Sequence, residues 1–438
     1  MGTILNSSKN ALPKNKRPSA SPKMLVFFVT AILLTIPLNY GFSSIAVIIF
    51  AVYTIFTARK ENFSVNTALI LPVLLFMLMV ASLAWSVDFK CSMKALSREI
   101  TLLAIPVLFC LSRLWKKQQR DILKYYSFGM VIYGAFYIIR ALARYTLSGD
   151  TDYFFYHSLV TKDVNAIYAS VFFAVAVFYY LSKKKKSIFD YFAFAFLFTL
   201  IFLLSSKNIL IITVLITGLY LLIFSGFTKK AKWLLGIVFF TGIVVAGYYG
   251  KIKDRFEAEF NPATEQAVTD LNSRPVTVYE AWNKKTFSQN DYFNGTAMRI
   301  YQVRIFTEML EKDNIFLSGY GLNASQVRVE QKGVEHNVFQ GDENNIGYNK
   351  LNFHNQYIEV FADLGILGLL LLLAMLGINL KNGIINKDFV HIAFAILMIA
   401  LFLTESFIWR QRGVIFFTVL YCLFNKGLYT SVIERSKR

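Results

Sequence analysis

Residues 355–378 read NQYIEVFADLGILGLLLLLAMLGI. From Leu364 onward the stretch carries no charge, and its length meets the roughly 20 apolar residues that a helix needs to cross a bilayer. Runs of the same kind recur near 24–39, 41–57, 67–86, 99–114, 122–142, 163–182, 188–205, 208–226, 231–249, 389–405 and 412–425, which makes twelve with the first. They are continuous rather than alternating, which argues for helices and against a strand barrel. Composition agrees. Of 438 residues, 55% are hydrophobic and 17% charged, against roughly a quarter charged in a soluble domain. Twelve spans of about 20 residues need about 240 residues, close to the hydrophobic share. A soluble enzyme, a nucleic-acid-binding protein and a disordered tail are excluded, and an all-α polytopic membrane protein is expected. Three cysteines (Cys91, Cys110, Cys422) are too few for a disulfide framework. The basic start (Lys9, Lys14, Lys16, Arg17, Lys23) leads into the first apolar run without a small-residue cleavage site, so it reads as a retained span rather than a signal peptide.

The net charge of +19 reads first as topology. With the N-terminus cytoplasmic, 25 of the 46 Lys and Arg residues fall in inside segments and nine in short outside segments and helix ends; twelve more lie in one long loop. The positive-inside rule does not count such a loop. Both termini are then cytoplasmic. The chain divides into spans 1–9 (residues 1–249), a large outside loop (250–354), spans 10–12 (355–425) and a cytoplasmic tail (426–438). The loop opens with Lys251, Lys253 and Arg255, carries an amphipathic segment from Thr296 to Lys312 and closes with a polar stretch, Gly333–Lys350. It has no internal repeat, Gly/Ser linker or soluble enzyme domain.

In the amphipathic segment Thr296 is the expected N-cap. Met298, Tyr301, Ile305 and Met309 form an apolar stripe suited to lying on the membrane surface. Arg304 has Glu308 at i+4, a solvated pair, whereas Arg299 has no acid at i+3 or i+4 and is free to grip a phosphate with its guanidinium fork.

Motifs of soluble chemistry are missing: no P-loop, dinucleotide fingerprint, Cys-rich metal site or H-E-x-x-H. Asp150-Thr151-Asp152 has the form of a nucleotide-sugar metal motif but reads as a polar turn after a helix. Of the four histidines, His391 sits at the inner start of a span, His336 in a polar loop and His157 shortly before the sixth span. His354 stands where the loop meets the tenth span. At 100° per residue Gly365 lies about 20° from it and Gly368 about 40° to the other side. The three share a face that another helix can approach closely; the plainer alternative is a histidine capping an interfacial helix. Glu359 and Asp363 continue down the same helix, facing a cavity or partner, or lying above the membrane. Arg98, Lys207, Glu405, Arg410 and Arg412 lie at outer helix ends. Each alone serves as an interfacial anchor. Collected beside His354, the cations point to an anionic ligand at the outer membrane surface.

His354-Asn355, nine residues, Gly365, two residues, Gly368 resembles the H-N-x9-G-x2-G signature of the O-antigen ligase and O-antigen polymerase superfamily. Met298-Arg299-Ile300, then Asn314-Ile315-Phe316 and Gly319-Tyr320-Gly321, resembles its arginine helix and G-x-G turn. Thr404-Glu405-Ser406 to Arg410-Gln411-Arg412-Gly413 is similar to the closing segment of its ligase-like members. The motifs cover about residues 295–420; the first 250 residues match in hydropathy only. At 206–207 the family usually has Ser-Arg where this chain has Ser206-Lys207, which keeps the charge without the fork.

The resemblance implies a glycosyltransferase of the bacterial inner membrane with a periplasmic site. It would take a glycan from polyprenyl pyrophosphate to a hydroxyl acceptor, the lipid A core first, with inversion and with neither metal nor other cofactor. Its partners would be those substrates and membrane lipids, not nucleic acid. His354 would be the general base and Arg299 the first cation on the leaving group. Lys207, Arg412, Arg410 and Arg98 would be further pyrophosphate contacts, and Asn355, Glu405, Gly365 and Gly368 would support them. The rivals are a polymerase, a Ser/Thr protein glycosyltransferase and a transporter of lipid-linked sugars. A transporter carries polar groups at mid-membrane and often broken helices; here most ionisable residues lie at outer span ends, with Arg140 and Arg144 nearest to a track.

Overall fold

The computed structural model describes residues 21–225 apart from Ser205, 274–436 apart from Asn344, and isolated positions between 228 and 241. The expected ninth span (231–249), the loop opening with Lys251, Lys253 and Arg255, and most of the basic N-terminal tail lie outside these residues. The first group of helices is α1 (Pro22–Thr35), α2 (Tyr40–Thr57), α3 (Thr67–Ser82), α4 (Phe89–Glu99), α5 (Thr101–Leu111), α6 (Lys116–Ser148), α7 (Tyr156–Leu159), α8 (Ala166–Ser182), α9 (Ile188–Leu203) and α10 (Lys207–Leu219). After the undescribed stretch come α11 (Val278–Asn283), α12 (Gly295–Lys312), α13 (Ser325–Glu335), α14 (Gln356–Ile385), α15 (Phe389–Leu401) and α16 (Gln411–Ser436). Strand is confined, among the described residues, to a two-residue parallel pair, β1 (Arg274–Pro275) with β2 (Asp291–Tyr292). Eleven of the twelve expected apolar runs coincide with helices. Among the described residues, four helical stretches are long and apolar enough to cross a membrane: α2, α6, Lys207–Phe224 and α14.

Two apolar cores divide the structure. The larger joins α1–α10 to α14–α16, with α14 packed between α15 and α3, and α16 against α5. The smaller gathers Val276, Phe287, Phe293, Met298, Tyr301, Ile305, Met309, Tyr320, Val329, Val338 and Phe353 with Ala362 of α14. The stripe on α12 therefore does not lie on a membrane surface: Tyr301 and Ile305 are fully buried in this second core. Its cap also differs. Asn294, not Thr296, is the N-cap, its Oδ1 accepting from Ala297 N at 2.8 Å. Nor is Arg304 solvated. It is buried, pairs with Glu308 at 2.8 Å and donates to the carbonyls of Ala281 and Lys284, because α11 folds over it.

A hydrogen-bond chain ties α12 to the end of α13. The Tyr301 hydroxyl meets His336 Nδ1 at 3.1 Å, and His336 Nε2 meets Glu308 at 3.2 Å. Lys332 also reaches Glu308, at 3.1 Å.

The two cores meet at one break in α14. Gly365 has φ 68° and ψ −167°, a conformation essentially confined to glycine. The helical ladder parts there, and a neighbouring turn fills the gap. The carbonyls of Ala362 and Asp363 accept from Tyr320 N at 2.9 Å and Gly321 N at 2.8 Å, and Ile366 N donates to Phe316 O at 2.8 Å. The G-x-G turn comes so close that a Cβ on Gly365 would stand 2.1 Å from Leu317 O, and one on Gly319 2.3 Å from the Asp363 carbonyl carbon. The two glycine motifs are thus halves of one joint. This corrects the shared helical face: Gly365 meets a turn rather than a helix, a Cβ on Gly368 would meet Leu364 and Val360 of its own helix, and His354 precedes the helix.

Gly365→Ala is expected to cost about 1–3 kcal/mol in backbone strain, with the clash at Leu317 added. Gly377, on the same helix with nothing within 4 Å of its Cβ position, is the control. Thermal unfolding of the detergent-solubilised protein should show a large drop for Gly365→Ala and none for Gly377→Ala.

Burial holds the His336 imidazole below its ordinary pKa, only partly opposed by Glu308. Burial would raise Glu308, but the bond from Arg304 and the neighbouring cations outweigh it, so Glu308 also lies below its ordinary value. Both groups bind protons more readily in the unfolded chain, so stability falls as pH falls. Below about pH 6.5, the ordinary imidazole value, wild type should therefore lose more melting temperature than His336→Gln.

Candidate functional site

The site forms where the first turn of α14 meets the connection from α15 to α16. Asn355 is the N-cap of α14, its Oδ1 accepting from Tyr357 N at 3.0 Å and Ile358 N at 3.1 Å. Its Nδ2 donates to Leu403 O at 3.2 Å, so one side chain both starts the helix and ties it to the connection. His354 lies one residue earlier in the left-handed region, at φ 48°. Non-glycine residues held there at a functional site store of order 1 kcal/mol or more of strain.

The connection supplies a partner to Gln356, Glu359 and Asp363, the polar residues on the inner face of α14 before its break. Gln356 N donates to Phe402 O at 2.8 Å, and Gln356 Oε1 accepts from Ile408 N at 2.7 Å. The Ser406 hydroxyl donates to the Glu359 carboxylate. Trp409 Nε1 donates to Asp363 at 2.6 Å, and the same carboxylate accepts from Asn323 N at 2.6 Å and Ser325 N at 3.2 Å. Glu359 and Asp363 are buried and partnered, so they hold three chain segments together rather than line an open cavity.

Glu405 organises the exposed end. One carboxylate oxygen lies 3.7 Å from His354 Nδ1 and the other 3.6 Å from Arg299 Nη2. Arg299 also donates through Nε to Thr404 O at 3.4 Å and through Nη1 to Gly295 O at 3.0 Å. The arginine without a local acid thus finds one 106 positions away in sequence. Asn208 donates to Thr404 Oγ1 at 2.6 Å and to Ala400 O at 3.2 Å, which anchors the N-terminus of α10, and with it the half-buried Lys207, to the same connection.

The other expected cations part company. Arg410 is exposed, and its charge reaches Glu359. Arg98 is half-buried and holds Asn323 Oδ1 at 3.3 Å, beside the Asp363 end of α14. Arg412, expected as a further pyrophosphate contact, has its donors taken up inside the protein. It is buried, donates to the carbonyls of Ile36 at 3.0 Å and Leu38 at 2.7 Å, and stacks on Tyr40 at 3.9 Å. The free carbonyls at the end of α1 take up its donors, so it fastens the α1–α2 turn. Arg140 and Arg144 are engaged too, on the carbonyls of Val160 at 2.7 Å and Ser158 at 2.9 Å. Sequence reasoning gave no role to Gln356, Ser406, Trp409, Thr404 and Asn208. The spacing of Gln356, Glu359 and Asp363, at i, i+3 and i+7 of an otherwise apolar helix, is the signal that points to a polar partner segment.

With this geometry in hand, residues 192–373 match the family model described as O-antigen ligase. The match takes in Lys207, Arg299, His354, Asn355, Gly365 and Gly368, and ends before Glu405. It supports the resemblance to the O-antigen ligase superfamily over that segment. No curated protein matches the chain.

Asp363→Ala strands two backbone N–H groups and the Trp409 indole, at about 1–3 kcal/mol for each buried donor left unpaired. Trp409→Phe removes one donor and leaves the others satisfied. Unfolding midpoints should rank wild type above Trp409→Phe above Asp363→Ala; equal midpoints for the two variants would refute the hub.

Proposed function

We propose that the protein is an O-antigen ligase-type glycosyltransferase of the inner membrane, moving a glycan from a polyprenyl pyrophosphate to an acceptor hydroxyl on the lipid A core at the periplasmic face. The observation that carries the reading is the convergence of His354 and Arg299 on Glu405, within and beside the segment matching the O-antigen ligase family. The glycosyl–pyrophosphate bond supplies the driving force. His354 takes the proton of the acceptor hydroxyl as general base. The oxygen attacks the anomeric carbon from the face opposite the leaving group, the carbon–oxygen bond to pyrophosphate breaks, and its electron pair leaves with the pyrophosphate. Attack from the opposite face inverts the centre.

Two charges develop, and the chain has a group for each. Pyrophosphate gains negative charge, which the Arg299 fork and Lys207 offset. The imidazole gains positive charge as it takes the proton, and Glu405 beside Nδ1 stabilises it and holds the ring in place, leaving Nε2 for the acceptor. Because Glu405 also holds Arg299, base and phosphate grip share one anchor.

The test is a gel of envelope glycans from a deletion strain complemented with variants. Lipid A core without polymer, with long chains left on the polyprenyl carrier, establishes a ligase; core bearing a single repeat unit means a polymerase instead. An unchanged lipopolysaccharide ladder points to protein or another acceptor. His354→Ala should abolish transfer at normal protein level, and Glu405→Gln should lower it about a hundredfold, within the range by which general acid–base catalysis contributes. Full transfer by His354→Ala removes the base assignment.

A further inference from the structure

Helix α4 is a second cationic element on the same side of the structure as His354, and neither the site nor its proposed reaction uses its two lysines. Its side of the molecule is set by contacts. The Ser92 hydroxyl donates to Leu322 O at 2.6 Å, and Arg98 holds Asn323, so α4 lies against the G-x-G turn that fills the break in α14. Three stripes run along it at 100° per residue. Ser92, Ala95 and Glu99 are buried and face this turn and the core. Lys90, Lys94 and Arg98, at i, i+4 and i+8, fall within about 80° of one another. Phe89, Met93 and Ile100 fall within about 40° on the adjoining flank and are 58%, 45% and 52% exposed. Trp85 stands just before the helix, 39% exposed, with its indole N–H on Ser318 O at 2.9 Å.

Among the described residues the side chains of Lys90 and Lys94 make no hydrogen bond or ion pair. Exposed apolar residues beside a cationic stripe are what a helix lying in a membrane interface carries: the apolar flank enters the acyl boundary and the cations meet head groups. We propose that α4 is a docking surface for the phosphate of an anionic lipid head group, gripped by Lys90, Lys94 and Arg98 while Phe89, Met93 and Ile100 lie against its acyl chains. Charge complementarity selects this occupant, and the apolar flank selects a lipid over a free anion. The proposal rests on the geometry of α4 and stands independently of the transferase reading.

The test uses the full chain in neutral detergent, titrated by native mass spectrometry with phosphatidylglycerol and phosphatidylcholine, with inorganic phosphate as competitor. Wild type should bind phosphatidylglycerol in preference to phosphatidylcholine, and millimolar phosphate should not displace it. Lys90→Gln/Lys94→Gln should weaken phosphatidylglycerol binding about tenfold or more, since basic residues near an anionic surface contribute separately. Both positions are exposed, so the variant should fold; an unchanged melting temperature checks this. Phe89→Ser/Met93→Ser should weaken binding of both lipids. Unchanged phosphatidylglycerol affinity in the lysine variant overturns the proposal, and displacement by inorganic phosphate shows an anion site rather than a lipid site. No readout depends on glycan transfer.

Discussion

Three backbone hydrogen bonds across the Gly365 break hold the arrangement together. A helix interrupted inside an apolar protein leaves carbonyls and an amide without partners, and each buried orphan costs as much as a lost hydrogen bond. Here the Phe316–Gly321 segment takes the place of the missing ladder bonds, two donors and one acceptor, and asks for glycine on both sides. The second core then has no freedom to slide over α14. Arg299 rides on α12 in the same body, so these bonds, with those that Asp363 accepts from Asn323 and Ser325, help to set its position relative to His354. The Tyr301–His336–Glu308 chain stiffens the same body from the far side.

Above the break, polar residues on α14 meet the connection between α15 and α16 one after another. Buried polar groups need partners, and this register gives Gln356, Glu359 and Asp363 at least one each. The consequence for chemistry is that the base is positioned by many contacts distant from it. Asn355 alone caps the helix and grips Leu403, which leaves the strained His354 little room to relax toward an ordinary helical conformation.

Much of this was legible in the chain. Continuous rather than alternating apolar runs gave helices, which satisfy their own backbone groups in a bilayer; His354 stood out where the loop meets a span, and the family resemblance set Asn355 and the glycines beside it. The limits were physical. A helical wheel assumes an unbroken ladder, so it failed where Gly365 breaks it. The α12 stripe was apolar enough for a membrane surface, and only the fold reveals that Phe287, Phe293 and Val329 cover it. Arg299 looked unpartnered because i+3 and i+4 neighbours are all that local reasoning sees, and Glu405 comes from another part of the chain. Arg412 has the look of a ligand in sequence, yet the open carbonyls at the end of α1 claim it.

The break also divides α14 into two lengths. From Ile366 to Ile385 it has twenty residues, about 30 Å, which is the thickness of a hydrocarbon layer. From Gln356 to Leu364 it has nine, about 14 Å. On the proposed reading the longer part spans the bilayer as a ruler and the shorter stands above it as a pedestal, which holds the imidazole at one height over the lipid. A reactant tethered to the bilayer by its own tail arrives at that height already, and has only to diffuse sideways. On the proposed reading, the joint reduces the meeting of two large glycolipids from a search through a volume to a search over a surface, while the growing sugar is left to extend into water without limit on its length.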